Sequence, residues 1–185
     1  MSKKSIIVAI TGASGAIYAR QCLDMLIAHP TVERIALILS SHAEDVIRAE
    51  GIVLPSSERI TRYANDDMWS SVASGSAQWD AMVVIPASMG TVGRVASGVS
   101  RTLLERAADV MLKERRRLVM VVRESPYSLI HLRNMTTLTE AGAIIVPASP
   151  SFYHAATTID ELCRSISERA LELTGLDIPH RHWGE

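Results

Sequence analysis

The chain has 185 residues, of which 48% are hydrophobic and 21% charged, and its formal net charge is −1 at pH 7. This length is enough for one domain with a full hydrophobic core, and the near-neutral charge gives no general attraction to nucleic acid. The first apolar stretch, at residues 6–10, is too short for a signal-peptide core or a membrane span.

Apolar runs and capping residues predict the elements in chain order. Buried strands are predicted at residues 6–10, 34–39, 81–85, 118–122 and 143–146, with an edge strand at 62–64. Helices are predicted at residues 16–28, 42–50, 101–114, 128–142 and 158–173, and another follows the loop at 87–91. Ser100 is expected to cap the helix at 101–114, and residues 65–67 are expected to cap a short helix that ends at Ala73.

Near-continuous apolar strands that alternate with helices predict a parallel sheet covered on both faces. The expected fold is a single Rossmann-like α/β domain over residues 1–185, with a C-terminal tail from residue 176 to residue 185. Ligands of such sheets bind beyond the carboxyl ends of the strands. The residues that directly follow strands should therefore gather on one edge: Gly12, Ala13, Ser14, Ser40, Ser88, Met89, Gly90, Thr91, Arg123, Glu124 and the loop that contains Tyr153.

The turn Thr11-Gly12-Ala13-Ser14-Gly15-Ala16 joins the first strand to the first helix. Its small residues allow a sharp bend and a close approach of a ligand, and the first N–H groups of a helix favour an anion. The turn therefore fits the phosphate of a nucleotide or a flavin. A turn whose small residues serve only packing fits equally well, because Gly-x-x-Gly without a following Gly-Lys-Ser/Thr is not specific.

Charged side chains offer further candidates, each with a structural alternative. Arg106 and Lys113 share a helical face with Asp109, so they form either a cationic rim for a phosphate or a surface row of ion pairs. Arg123 and Glu124 follow a buried strand, where they either contact a ligand or bridge each other. Arg169 lies at the edge of the apolar stripe of the last helix and either reaches a shared site or snorkels to water.

Metal and hydrolase chemistry find little support in the sequence. His180 and His182 have no third or fourth ligand at a recognisable spacing, so no metal site is predicted. No nucleophile elbow is present, which argues against an acyl-transfer hydrolase. Cys22 and Cys163 each share a helical face with apolar residues, so we expect free thiols in the core of a cytoplasmic protein.

Several short motifs follow one another along nearly the whole chain. They are Thr11-Gly12-Ala13-Ser14-Gly15-Ala16, Ser74-Gly75-Ser76, Leu104-Glu105-Arg106-Ala107-Ala108-Asp109-Val110, Lys113-Glu114-Arg115-Arg116, Arg123-Glu124-Ser125-Pro126, Phe152-Tyr153-His154 and Arg181-His182-Trp183. In this order and spacing they resemble the UbiX-type flavin prenyltransferases, in the superfamily of the flavin-binding cysteine-decarboxylase fold. The resemblance implies transfer of a dimethylallyl group from dimethylallyl phosphate to N5 and then C6 of reduced FMN. It also implies a homo-oligomer, a dodecamer, whose sites are completed across subunit contacts, and a product that serves a UbiD-type decarboxylase.

The resemblance also assigns roles to individual residues. It implies FMN binding by Gly12, Ala13, Ser14, Ser40, Ser88, Met89, Gly90, Thr91, Arg123 and Arg106. It implies binding of dimethylallyl phosphate by Tyr153, Arg169, Lys113 and Trp183, and catalysis by Glu124, Glu50 and Ser14. Donors such as Tyr, Arg and Lys would stabilise the departing phosphate. Loss of the C6 proton needs a base, for which Glu124 and the retained phosphate are both candidates.

Two other functions remain open at the level of sequence. One is a flavin-dependent decarboxylase that acts on a peptidyl or pantothenoyl cysteine, the other branch of this superfamily. The second is a flavin carrier or accessory subunit of an aromatic-acid decarboxylase. A rim for the prenyl phosphate, formed by Arg106, Lys113, Tyr153 and Arg169, argues against a thiol substrate. Nothing in the sequence separates the enzyme from the accessory subunit.

Overall fold

The computed structural model describes residues 3–152 and 155–179. Within these ranges the chain forms one parallel sheet with the strand order β3-β2-β1-β4-β5-β6, which is the strand order of a Rossmann fold. The strands are β1 Lys4–Ile10, β2 Val32–Leu39, β3 Ile60–Tyr63, β4 Ala81–Ala87, β5 Arg117–Val122 and β6 Ile144–Pro147. The helices are α1 Ala16–Ala28, α2 Ala43–Ala49, α3 Met89–Ala96, α4 Leu103–Lys113, α5 Leu129–Glu140 and α6 Ile159–Leu173. The predicted α/β fold is confirmed.

The core lies on both faces of the sheet because alternate residues of each strand point in opposite directions. Ile6, Val8 and Ile10 of β1 pack in a cluster with α1 and α6. Ile7 and Ala9 of the same strand pack in the other cluster, with α3 and α4. Because both sides are buried, the strands appear in the sequence as continuous apolar runs rather than as alternating ones.

The strands extend past several of the predicted ends. β4 continues through Pro86 to Ala87, where the sequence predicted an end at Ile85, and its pairing with β5 shifts in register between Val84 and Ala87. A proline has no N–H to donate, so the irregularity falls where the ladder loses a donor. The edge strand β3 is confirmed, although it begins earlier than predicted, at Ile60.

Two predicted helix caps are wrong. Thr102 rather than Ser100 caps α4, because Glu105 stands three residues after Thr102 and returns a hydrogen bond to complete a capping box. Residues 65–67 do not cap a following helix; the chain there forms turns and two short 3₁₀ helices, Ser71–Ala73 and Gly75–Ala77. Asn65 instead accepts hydrogen bonds from the backbone N–H groups of Leu103 and Leu104, at the start of α4.

The segment after α6 packs against the domain rather than leaving it at residue 176. Leu176 and Ile178 are buried in the cluster that also contains α1 and α6. His29 accepts from the Thr31 N–H at one ring nitrogen, and its other ring nitrogen hydrogen-bonds the carbonyl of Asp177. The apolar side chains at alternate positions account for this packing. Residues 180–185, including the predicted tail residue Trp183, lie outside the described ranges.

Candidate functional site

The loops at the carboxyl ends of β1, β4 and β5 are connected by hydrogen bonds. The buried Thr11 hydroxyl donates to the carbonyl of Pro86 at 2.8 Å and accepts from the N–H of Ser88 at 2.8 Å. The N–H of Arg123 donates to the carbonyl of Ala87 at 3.2 Å. These contacts confirm that the loops meet on one edge of the sheet, which we call the carboxyl edge.

Several backbone donors on this edge have no acceptor among the residues that the structure describes. They are the N–H groups of Gly12, Ala13 and Ser14 in the β1–α1 turn, and those of Met89 and Gly90 at the start of α3. Ser88 caps α3 by accepting from the N–H of Thr91. Free N–H groups beside two helix N-termini form an environment that stabilises an anion such as a phosphate. The carboxyl edge therefore fits a phosphorylated ligand such as FMN.

A carboxylate already lies at the N-terminus of α1. Glu50 accepts hydrogen bonds from the N–H groups of Gly15 at 2.8 Å and Ala16 at 2.7 Å. Burial alone would raise the pKa of Glu50, but hydrogen bonds from Ser14, Gly15 and Ala16 and the charge of Arg123 outweigh burial and lower it below its usual value. Glu50 is therefore ionised at neutral pH, so it can serve as a base or as a negative charge but not as an acid.

Arg123 connects the end of β5 to the β1–α1 turn. Its Nε donates to the carbonyl of Ser14 at 3.2 Å, and it has no ion pair with Glu124 in the described part of the chain. The structure therefore does not support the alternative in which these two charges only bridge each other. Glu124 instead accepts from the N–H of Ser125 at 3.0 Å and is half-buried.

Gly12 and Gly15 are both required for packing around the β1–α1 turn. A Cβ atom at Gly12 would lie 2.9 Å from the Cβ of His42, at the start of α2. Gly15 has a φ of 111°, and a Cβ there would lie 2.8 Å from the ring of Tyr18. The structure thus supports the packing role of these glycines, while the binding of an anion by the N–H groups of the turn stays a prediction.

One cation at the carboxyl edge was missed by the sequence analysis. Arg94 in α3 donates from Nε to Glu105 at 2.5 Å and from Nη2 to the hydroxyl of Thr91 at 3.3 Å. Glu105 is only 3% exposed and also accepts from the N–H groups of Arg101 and Thr102. The sequence feature that could have indicated Arg94 is its position three residues after Thr91, which places both side chains on one helix face.

The residues predicted for the site separate into three groups. The carboxyl edge carries Gly12, Ala13, Ser14, Ser40, Glu50, Ser88, Met89, Gly90, Thr91, Arg123 and Glu124. Arg106, Lys113 and Arg169 make their hydrogen bonds elsewhere. Tyr153 and Trp183 lie outside the described residues, so their predicted roles stay predictions.

Each of the three cations pairs with an acidic side chain close to it in the chain, and none donates a hydrogen bond to the loops of the carboxyl edge within the described residues. Arg106 pairs with Asp109 at 2.6 Å and donates to the carbonyl of Ala73 at 3.2 Å. Lys113 pairs with Glu114, not with Asp109, and lies near Arg117, the first residue of β5. Because β5 is parallel to its neighbours, Lys113 lies at the amino ends of the strands, opposite the carboxyl edge. Arg169 is exposed and pairs with Glu172.

The described residues offer neither a metal cluster nor a membrane helix. Within residues 3–152 and 155–179, no group of three His, Cys, Asp or Glu side chains could hold a metal ion. In the same ranges no helix is long and apolar enough to cross a membrane. Cys22 and Cys163 are both buried free thiols, as predicted.

Known proteins resemble this chain over nearly its full length. The model of the Flavoprotein family matches residues 1–171. The flavin prenyltransferase UbiX of Methanocaldococcus jannaschii is 40% identical over 183 residues, which cover 97% of this chain and 98% of that protein. The UbiX of Thermoplasma acidophilum is 42% identical over 174 residues, covering 92% and 94%. This chain belongs to the UbiX-type flavin prenyltransferases.

Solved structures agree with this assignment. AnUbiX (PadA1), in complex with FMN and dimethylallyl pyrophosphate, has a TM-score of 0.89 and 40% identity, and the match covers 98% of this chain and 99% of that one. A dodecameric FMN-dependent UbiX-like decarboxylase from Escherichia coli O157:H7 has a TM-score of 0.89 and 37% identity, with 98% and 100% covered. A PPC decarboxylase, the cysteine-type branch, has 18% identity and shares the fold alone.

Proposed function

We propose that this chain transfers a dimethylallyl group from dimethylallyl phosphate to N5 and C6 of reduced FMN and releases inorganic phosphate. The observation that carries the proposal is the carboxyl edge, where free N–H groups of two helix beginnings lie beside Glu50 and Arg123. Full-length relatives at 40% and 42% identity are flavin prenyltransferases, whereas the cysteine-type decarboxylase shares only the fold. The prenyltransferase is therefore favoured over the decarboxylase alternative.

The residues of the carboxyl edge match the needs of this reaction. Reduced FMN supplies the two positions, N5 and C6, that accept the carbon atoms of the donor. The free N–H groups of the β1–α1 turn and of the start of α3 can hold phosphate oxygens without rearrangement. Glu50, which is ionised at neutral pH, is available to stabilise the positive charge that develops on the allylic carbon. Glu124, whose carboxylate accepts only the N–H of Ser125 among the described residues, is available to accept the proton lost from C6.

A second copy of the chain would complete the donor site. Lys113 lies at the amino ends of the strands, so it could reach a carboxyl edge only in a neighbouring subunit. The first turn of α5 supplies a surface for such a contact, because Leu129 and Ile130 expose 61% and 68% of their surface. Exposed apolar groups of this size mark interaction surfaces. We infer that the chain assembles into a homo-oligomer, as the dodecameric relative does.

The direct test is to prenylate FMN in vitro. Purified protein is incubated without oxygen with reduced FMN and either dimethylallyl phosphate or dimethylallyl pyrophosphate, and the released flavin is analysed by mass spectrometry. We expect FMN enlarged by one five-carbon unit with at least one donor. Unmodified FMN with both donors, while the Thermoplasma acidophilum relative modifies it under the same conditions, would contradict the proposed function. It would then favour a flavin carrier or accessory subunit.

The shared site has a test of its own. Lys113→Ala and Arg123→Ala subunits are co-expressed and compared with each variant alone. If Lys113 acts in a neighbour's site, about a quarter of the sites in a one-to-one mixture keep both residues, so activity returns to about that fraction. If mixing restores nothing, although the mixed oligomer forms, Lys113 acts within its own chain. Full activity of Lys113→Ala alone would show that Lys113 takes no part in the site.

Two finer parts of the proposal concern the cell. We infer that the prenylated FMN serves a UbiD-type decarboxylase, because a modified flavin is a cofactor rather than an end product. We also infer a cytoplasmic location, which two free buried thiols support because oxidising compartments favour disulfides. Rescue of a UbiD-type decarboxylase in a cell that lacks its own prenyltransferase tests the first inference, and fractionation of cells tests the second.

A further inference from the structure

Arg94 has one guanidinium nitrogen without an acceptor. Its Nε donates to Glu105 and its Nη2 to Thr91, which fixes the plane of the guanidinium. Its Nη1 has no hydrogen-bond partner among residues 3–152 and 155–179, and it lies 3.3 Å from where a Cβ of Gly90 would be. The Arg94 side chain as a whole is 48% exposed.

Glu105 explains why Arg94 has this orientation. The carboxylate is buried, and burying a charge is costly unless it is paired. The N–H groups of Arg101 and Thr102 and the Nε of Arg94 satisfy it. A lysine could also neutralise Glu105, but its ammonium is a compact charge on a flexible stem, whereas the planar guanidinium of Arg94 presents its donors in fixed directions. The pair therefore holds an oriented cation beside the start of α3.

The surroundings of the free nitrogen point to an anionic ligand. Gly90, which has no side chain, leaves open the space near Nη1, and the N–H groups of Met89 and Gly90 have no acceptor in the described part of the chain. Thr91 also hydrogen-bonds Ser88, the cap of α3. A fixed guanidinium beside unpaired N–H groups is suited to a phosphate group.

We propose that Arg94 is a further ligand-binding residue of the carboxyl edge, and that its Nη1 donates to a phosphate oxygen of the bound flavin nucleotide or of the prenyl donor. This proposal rests on the proposed function, since it takes the ligands to be FMN and dimethylallyl phosphate. Both ligands carry the same chemical group, so binding measurements must distinguish them.

The test measures the affinity of Arg94→Ala for FMN, riboflavin and dimethylallyl phosphate separately. The matched control is Arg164→Ala, because Arg164 also donates from Nε to a glutamate, Glu168, and is similarly exposed, but lies on α6. Loss of one charge-assisted contact should weaken binding about ten- to a hundredfold. A loss for FMN but not for riboflavin identifies the FMN phosphate, and a loss confined to dimethylallyl phosphate identifies the donor.

Two outcomes overturn the proposal. Either Arg94→Ala binds all three ligands as well as Arg164→Ala does, or it loses FMN and riboflavin equally, which would place the contact on the flavin ring. Because Arg94→Ala leaves Glu105 unpaired, the double variant Arg94→Ala/Glu105→Gln is titrated in parallel, with no buried charge left to destabilise the fold. Binding does not require turnover, so these results stand even if the wild-type protein fails to prenylate FMN.

Discussion

Replacing Glu50 by alanine should destabilise the domain through helix α1. The substitution removes the acceptor of the Gly15 and Ala16 N–H groups, which lie 2.8 and 2.7 Å from the carboxylate. Loss of a capping side chain costs about 0.5–2 kcal/mol, and loss of a negative charge at a helix N-terminus costs about 0.3–1 kcal/mol. We expect the free energy of unfolding to fall by about 2 kcal/mol. For a chain of this size, Tm should then fall by about 4–8 °C.

The pH dependence of this effect follows from the lowered pKa of Glu50. Because that pKa is lower in the folded chain than in the unfolded chain, the carboxylate stabilises the fold fully above the ordinary value of 4.5. Its contribution is lost as the pH falls through the folded-state pKa. The stability difference between wild type and Glu50→Ala should therefore be largest near neutral pH and shrink in acid.

The assay is urea denaturation across this pH range at a fixed protein concentration, because an oligomer's apparent stability depends on concentration. Glu44→Ala is the control, since Glu44 is an exposed carboxylate of the same region that pairs with Arg62. Exposed pairs contribute about 0–1 kcal/mol. The reasoning fails if Glu50→Ala is no less stable than Glu44→Ala at neutral pH, or if its deficit persists unchanged in acid.

Three other predictions test the site and its surroundings. Gly12→Ala should lower the free energy of unfolding by about 1–3 kcal/mol through the clash with the Cβ of His42. Adding His42→Gly should restore much of the lost stability in denaturation experiments. If the double variant is no more stable, the loss comes from the backbone conformation at residue 12 and not from the clash. We infer that the exposed Arg169 serves the donor site of a neighbouring subunit, as proposed for Lys113. Arg169→Ala should then weaken dimethylallyl phosphate binding about ten- to a hundredfold and leave FMN binding unchanged, and loss of FMN in separate titrations would contradict this inference. Burial and the Cys163 thiol raise the pKa of Tyr18 to about 12, so an ultraviolet titration should show one tyrosine that stays neutral well above pH 10; simultaneous ionisation of all the tyrosines would refute this.

Most strands and helices could be predicted from short stretches of sequence, whereas hydrogen bonds between distant residues that cap a helix could not. Apolar runs such as residues 118–122 have no polar side that could face water. They therefore predicted strands in a sheet that is covered on both faces. The cap of α4 was within reach of the sequence, because Glu105 three residues after Thr102 is the mark of a capping box and Ser100 lacks it. The role of Asn65 was not, since its partners Leu103 and Leu104 are far away in the chain.

The positions of some residues of the candidate site could be predicted from the sequence, and those of others could not. Strand ends correctly placed the β1–α1 turn, Ser88 and Arg123 on one edge, because parallel strands end together. Helical spacing correctly put Arg106 and Lys113 on one face but could not say which edge of the sheet that face approaches. Arg94 escaped notice because its significance depends on Glu105, a residue of another helix.

The Thr11 hydroxyl restricts which residues can replace threonine at position 11. It donates to Pro86 and accepts from Ser88, and it is buried, so no solvent replaces either bond. Serine preserves both bonds. Valine has the same shape as threonine but would leave the Ser88 N–H without an acceptor, at a cost of about 1–3 kcal/mol. A substitution that preserves the hydrophobic packing would thus weaken the contact between the two loops, although the backbone N–H of residue 11 would still donate to the carbonyl of Pro86. Position 11 needs a hydroxyl-bearing residue to keep both side-chain bonds.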